Sequence, residues 1–73
     1  MRPIVKKISF YPYIYYPLPK EGRYAIARYN IIKHKWIVLE RRFGLRTEIE
    51  DFVHELNTES GRIEEEFIVG YKE

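Results

Sequence analysis

The sequence predicts a small α+β domain in which one helix packs on one face of an antiparallel β-sheet of three to four strands. Three observations lead to this prediction. Several segments alternate apolar and polar residues with period two, one segment repeats apolar residues with helical spacing, and 73 residues suffice for one domain. The elements follow in the order β-β-β-α-β, and residues 1–73 form a single domain. The second face of the sheet is left for solvent, a dimer partner or a ligand.

The first predicted strand covers residues 3–16, where the period-two pattern has an apolar side and a tyrosine-rich side. Pro12 cannot donate a hydrogen bond to a neighbouring strand, so it breaks this strand or places it at a sheet edge. Residues 17–22 contain two prolines and a glycine and are expected to form a loop. In the predicted first strand, the apolar side holds Ile4, Ile8, Phe10, Ile14 and Tyr16, and the tyrosine-rich side holds Val5, Lys7, Ser9, Tyr11, Tyr13 and Tyr15.

A hairpin is predicted next, with strands over residues 24–29 and 36–43. Both runs are dense in aromatic and β-branched residues, which suit a half-buried pleated surface. The connection, residues 30–35, contains no glycine, so we expect a loop of about four residues rather than a two-residue turn. Asn30 is the best candidate for an unusual backbone conformation. Gly44 is expected to adopt positive φ and end the second strand.

The helix is predicted to begin at Thr47 and to end at Asn57 or Gly61. Thr47 and Glu50 have the T-x-x-E spacing of a capping box, in which each side chain accepts a bond from a free backbone N–H. Apolar residues share one helical face, namely Ile49, Phe52, Val53 and Leu56. A last strand is predicted over residues 62–71. Because Glu65 interrupts its alternation, a helical start to this segment is the competing interpretation.

The layout of the central segment resembles that of known DNA-binding modules. Lys35-Trp36-Ile37-Val38, then Phe43-Gly44, then Thr47 at the start of an acidic helix, is similar to the three-stranded sheet and helix of phage integrase arm-binding domains and plant AP2 domains. The resemblance covers about 25 residues, carries no family-specific motif, and implies a layout rather than membership or function.

The charges are sharply divided along the chain. Up to Arg46 there are eleven basic and two acidic residues, a balance of +9. From Thr47 onward there are two basic and nine acidic residues, a balance of −7, and the halves together give the net charge of +2. This division predicts either a strong dipole between sheet and helix or, if folding brings the halves together, a set of ion pairs on a solvated face.

Nucleic-acid binding, to DNA or RNA, is the function that we predict from this pattern. Phosphates require cations and exposed bases stack on flat rings, and the basic half interleaves both kinds of side chain. The alternative interpretation is that the tyrosines only cover the flank of a small core, with their hydroxyls in water. The predicted binding residues are Arg28, Lys33, Lys35, Arg41, Arg42, Tyr13, Tyr15, Tyr24 and Trp36.

The alternative is a protein-interaction module, such as a small regulator or inhibitor from a virus or mobile element. Its surface would be a strand edge at Pro12, or an acidic surface formed by residues 64–66 that mimics a phosphate backbone. A homodimer is expected in either case, because a chain this short has a small core and association adds buried area.

No catalytic residue, metal ligand or cofactor is predicted, and the chain is not expected to be an enzyme. It has no cysteine, its glycines form no phosphate-binding loop, and neither serine is near a histidine in sequence. His34 is interpreted as a solvated turn residue or a phosphate contact, and His54 as an ion-pair partner of Glu50 and Asp51 rather than a metal ligand.

Neither a secretory signal nor a membrane span is expected, because no segment is apolar enough. With the absence of cysteine, this favours a cytoplasmic protein. The chain has no glutamine, two asparagines and one methionine beside abundant isoleucine and charged residues, which is typical of proteins from hot environments.

Overall fold

The computed structural model describes all residues from Met1 to Glu73 and contains five strands and one helix. The predicted α+β class is confirmed, with the order β-β-β-β-α-β. No helix is both long enough and apolar enough to cross a membrane. The elements are β1 (Arg2–Phe10), β2 (Tyr13–Leu18), β3 (Arg23–Asn30), β4 (Lys35–Arg42), α1 (Arg46–Ser60) and β5 (Ile63–Lys72).

The five strands form two antiparallel sheets rather than one. β2, β3 and β4 form a three-stranded sheet with β3 in the centre, whereas β1 pairs with β5 alone. Pro12 separates β1 from β2, as its missing N–H predicts, and its carbonyl accepts a bond from the Tyr29 N–H at 2.9 Å. The β1–β5 pair, which runs from Phe10–Ile63 at its root to Arg2–Lys72 at its tip, is called the arm below.

The core lies between the three-stranded sheet and α1. Ile26 of β3 and Ile49 of α1 are each 1% exposed, and Val53 is buried beside them. The predicted apolar face of the helix is therefore confirmed. Asn57, near the helix end, fixes α1 against the outer edge of β2, because its amide both accepts a bond from the Tyr13 N–H at 2.9 Å and donates one to the Tyr13 carbonyl at 3.0 Å.

Four aromatic rings join the arm to the three-stranded sheet on the side opposite α1. Phe10 of β1 meets Tyr29 of β3 edge to face with ring centroids 5.3 Å apart, and Trp36 of β4 meets Tyr29 at 5.3 Å. Phe67 of β5 lies 6.3 Å from Phe10 and 6.5 Å from Tyr29. Close to this four-ring cluster, His34 Nδ1 lies 3.3 Å from a carboxylate oxygen of Glu65.

The predicted capping box at Thr47 is wrong. The helix begins at Arg46, with Leu45 in extended conformation at the cap position and no side-chain cap hydrogen bond. Thr47 therefore lies inside the first turn, where its hydroxyl cannot occupy the cap position. The predicted end is correct, because Gly61 has φ of 71° and donates its N–H to the Asn57 carbonyl.

The β3–β4 connection has the predicted four residues, 31–34, but Asn30 does not adopt the unusual conformation. His34 has the positive φ, at 53°. The Asn30 side chain instead accepts bonds from the N–H groups of Ile32 and Lys33, both at 2.9 Å, and so stabilises the turn without leaving the strand conformation. The predicted loop 17–22 starts later, because β2 continues through Leu18.

The apolar side of the predicted first strand does not form a core face. Phe10 is the half-buried exception, whereas Ile4, Ile8, Ile14 and Tyr16 remain 36–44% exposed. The physical reason is the division into two sheets. The arm has only two strands and no layer packed over its outer half, so Ile4 and Ile8 remain exposed to water. Ile14 and Tyr16 belong to β2 and lie on the sheet face opposite α1.

Replacing Asn57 with alanine is expected to destabilise the fold by about 1–3 kcal/mol, because two partly buried hydrogen bonds to the Tyr13 backbone are lost. Urea unfolding followed by circular dichroism measures this. Thr58→Ala removes an exposed bond to the His54 carbonyl on the same helix turn and should change stability by less than about 0.5 kcal/mol. Equal effects of the two substitutions would contradict the role assigned to Asn57.

Candidate nucleic-acid interface

The structure distributes the nine predicted binding residues over three places. Directly opposite residues in antiparallel strands share a sheet face, and the contact of Arg42 with Phe52 of α1 identifies the helix-covered face. The helix-covered face carries Tyr13, Tyr15, Tyr24, Arg28 and Arg42. The other face of the sheet carries Trp36 and Arg41. Lys33 lies in the β3–β4 turn, and Lys35 follows that turn directly. A single basic and aromatic sheet face, as predicted, is not formed.

Three of the four predicted rings are held by other parts of the protein. The Tyr15 hydroxyl donates a 2.5 Å hydrogen bond to Glu50, and the Tyr24 ring packs edge to face against Tyr15 at 6.0 Å. Trp36 belongs to the four-ring cluster, although 40% of it stays exposed. Stacking by nucleobases on Tyr15 or Tyr24 would have to displace contacts that hold α1 on the sheet.

Two of the five predicted cations are likewise engaged. The Arg42 guanidinium lies 3.9 Å from the centroid of the Phe52 ring, and its Nε is 3.2 Å from a Glu40 carboxylate oxygen. Arg41 lies 3.9 Å from Glu21, which also pairs with Arg23. Both arginines therefore already have a carboxylate partner, and Arg42 also packs over the Phe52 ring.

Arg28 retains the predicted combination of cation and ring. Its guanidinium lies 5.3 Å from the centroid of the Tyr13 ring, and its side chain is exposed. A second pair of the same kind, Arg62 over Tyr11 at 4.8 Å, was missed by the sequence analysis. Tyr11 and Tyr13 flank Pro12 in sequence, but only the return of the chain after α1 brings Arg62 to Tyr11, so no local pattern reveals the pair.

Both stacks lie at one end of the three-stranded sheet. A cleft of about 350 Å³ there is lined by Pro12, which lies between the two tyrosines, by Arg28, and by Ile63, which follows Arg62. Lys35 is opposite Asn30 at the same end of β3 and β4. We call the set Tyr11, Tyr13, Arg28, Lys33, Lys35 and Arg62 the basic end.

The cations of the basic end have no acidic partner. The basic and acidic halves of the chain do meet elsewhere, through Lys7–Glu64 at 3.6 Å, His34–Glu65 at 3.3 Å and Arg46–Glu50 at 3.2 Å. By contrast, none of the four cations of the basic end has a carboxylate oxygen within 4.0 Å. Folding therefore cancels part of the charge division and leaves positive charge at this end.

Glu50 connects β2 to the start of α1. It accepts bonds from Tyr15 and, at 3.2 Å, from Arg46 Nε. The Tyr15 hydrogen bond lowers the pKa of Glu50 below its ordinary value, and the Arg46 guanidinium contributes in the same direction against partial desolvation. The same bond to Glu50 raises the pKa of Tyr15. The Tyr15–Glu50–Arg46 group therefore links the start of α1 to β2.

No three histidine, aspartate or glutamate side chains come together as metal ligands, so His54, Glu50 and Asp51 do not form a metal cluster. Comparison with known proteins finds no matching family model, no matching curated protein and no matching solved structure. The interpretation of the site therefore depends on its own geometry.

Replacing Glu50 with glutamine is expected to flatten the acid dependence of stability. The pKa of Glu50 is lowered in the folded state, so its contribution is present above the ordinary value of 4.5 and is lost as the pH falls through the folded-state value. The free energy of unfolding should therefore drop less below about pH 4.5 in Glu50→Gln than in the wild type. Urea titrations at several pH values measure this.

Glu55→Gln is the matched control, because Glu55 is exposed on the same helix and makes no side-chain hydrogen bond or ion pair in the structure. It should keep the wild-type pH profile. If Glu50→Gln and Glu55→Gln had the same profile, the Tyr15–Glu50–Arg46 group would not stabilise the fold.

Proposed function

We propose that this protein binds nucleic acid through the basic end. The observation that carries the proposal is the pair of exposed arginine–tyrosine stacks, Arg28 on Tyr13 and Arg62 on Tyr11, neither of which has a carboxylate partner. Arg42 and Arg46, by contrast, each have a carboxylate partner. The free guanidinium groups are therefore available to an external anion.

The stacks suit a nucleic acid because they hold the cations in position before binding. A tyrosine ring beneath a guanidinium restricts the side chain while leaving its N–H groups free to bond phosphate oxygens. The guanidinium plane can also stack with an unpaired base. Lys33 and Lys35 add two positive charges on flexible side chains that can reach phosphate oxygens without a fixed orientation, and such contacts are typical of binding to a phosphate backbone.

Fluorescence anisotropy of labelled single- and double-stranded DNA and RNA oligonucleotides is expected to show binding that weakens steeply with salt. If all four cations contact phosphates, the affinity falls roughly 50-fold for a single strand and roughly 150-fold for a duplex between about 50 and 200 mM salt. The four probes also decide which type of nucleic acid is preferred. No binding at the lower salt concentration would overturn the proposal.

Substitutions assign that binding to the basic end. Arg28→Ala and Arg62→Ala should each weaken binding and reduce the salt slope by about 0.7–0.9. Arg28→Lys should keep the slope but lose affinity, because charge remains and the planar stack does not. Arg42→Ala is the control, since Arg42 is occupied by Glu40 and Phe52. Equal losses in Arg42→Ala and Arg28→Ala would exclude this surface.

A protein-interaction module is the second candidate, and the exposed apolar surface favours it. Seventeen large hydrophobic residues are exposed, including Val5, Ile68 and Tyr71 of the arm at 50–63%. Strand addition at β2 is disfavoured, since Asn57 already bonds both backbone groups of Tyr13 and Pro17 lacks an N–H. A partner would instead contact side chains, and a small regulator or inhibitor assembled as a homodimer fits this surface.

A further inference from the structure

The outer half of the arm carries an apolar surface that nothing in the chain covers. Pro3 lies opposite Tyr71 and Val5 opposite Ile68, so these four residues share one face. Phe10 and Phe67, which pack on the three-stranded sheet, belong to the other face. The first four residues are called the outer arm face.

The side of the three-stranded sheet opposite α1 carries a second apolar surface, of which the arm root covers only the part around Tyr29 and one side of Trp36. Ile14 and Val38 flank Ala27, and Tyr16 flanks Ala25, while Trp36 lies beside Tyr29. Both alanines are 1% exposed, because the larger side chains beside them close over them. Arg41, opposite Ala25 on β4, bounds this apolar layer at one end. The four layer residues, each 38–40% exposed, are called the open sheet face: Ile14, Tyr16, Trp36 and Val38. A sheet face exposed to water is normally polar.

The dimensions of the chain also indicate missing contacts. A compact monomer of 9.0 kDa would have an accessible surface of about 4,900 Å², whereas this chain has 5953 Å². The excess of about 1,100 Å² exceeds the roughly 800 Å² that each partner buries in a standard interface. The radius of gyration is 15.3 Å, against about 11 Å for a compact domain of this length.

We propose that the protein is a homodimer in which the outer arm face of each protomer packs on the open sheet face of its partner. This identifies the partner for the second candidate function and does not depend on nucleic-acid binding. Two sheets packed face to face lie about 10 Å apart with interdigitating apolar side chains, and the arm and the sheet each supply one such face.

A second copy fits these surfaces better than an unrelated protein for two reasons. Each protomer carries an outer arm face and an open sheet face. A two-fold axis that packs the arm of each protomer on the sheet of the other therefore covers both faces of both protomers, and the assembly closes as a dimer. The net charge is only +2, and cross-strand charges near the arm root, such as Lys7 with Glu64, are already paired within the chain. Two copies therefore meet without strong repulsion.

Sedimentation velocity tests the dimer, and a mixing experiment tests its geometry. The wild type should sediment at twice the chain mass of 9.0 kDa. Val5→Lys on the outer arm face and Ile14→Glu on the open sheet face should each weaken the dimer by about 100-fold or more, because a charge would be buried in an apolar contact. Ile32→Glu, at a turn residue outside both faces that is 85% exposed, should remain dimeric.

Mixing Val5→Lys with Ile14→Glu should restore dimers. The heterodimer has one contact made of two unsubstituted faces, and its other contact places the introduced lysine beside the introduced glutamate. Restoration also shows that both variants are folded. If the arms instead dimerised with each other, Ile14→Glu would stay dimeric and mixing would restore nothing.

A wild-type chain that sediments as a monomer at all concentrations would overturn the proposal. So would a dimer that resists both substitutions, since its interface would lie elsewhere. Neither result affects the nucleic-acid proposal, because no residue of the basic end is changed by Val5→Lys or Ile14→Glu. The salt dependence of oligonucleotide binding to the wild-type chain tests that proposal separately.

Discussion

The four-ring cluster of Phe10, Tyr29, Trp36 and Phe67 is the contact on which the arrangement of the two sheets depends. Its rings come from β1, β3, β4 and β5, and its centroid separations of 5.3–6.5 Å lie in the range favoured by tilted and edge-to-face pairs. Tyr29 is 6% exposed, and burial, with a smaller contribution from Glu65, raises its pKa. The cluster thus forms a second small core beside the one under α1.

Placing this core at the arm root has consequences at both ends of the arm. At the root, β1 ends next to Pro12 and β5 begins after Arg62, so the same junction brings Tyr11, Tyr13 and Arg62 to the end of the sheet where Arg28 lies. At the tip, the strands extend beyond any layer that could cover them. An isolated two-stranded ribbon is marginally stable in water, which makes association the expected means of stabilising its outer half.

Local patterns were enough to predict much of this fold. The apolar helix face, the break at Pro12 and the helix end at Gly61 follow from side-chain spacing and backbone chemistry alone. The sequence could not specify that β1 pairs with β5, because period-two alternation identifies a strand but not its partner. The Arg62–Tyr11 stack depends on that pairing. The position of α1 on the sheet is likewise not visible in a local pattern. The predicted site therefore included Tyr15, Tyr24 and Arg42, although Tyr15 and Arg42 contact α1 and Tyr24 packs on Tyr15.

The most direct test of whether association stabilises the outer half of the arm is the amide hydrogen exchange of Val5 and Ile68. NMR would follow this exchange at protein concentrations below and above the dissociation constant of the homodimer. Opening of a segment that association stabilises becomes less frequent as the bound fraction rises. The account predicts fast exchange in dilute protein, slower exchange in concentrated protein, and protection of Ile26 in the core under α1 at both concentrations. Protection of Val5 and Ile68 equal to that of Ile26 and independent of concentration would contradict it, because the arm would then be stable within one chain.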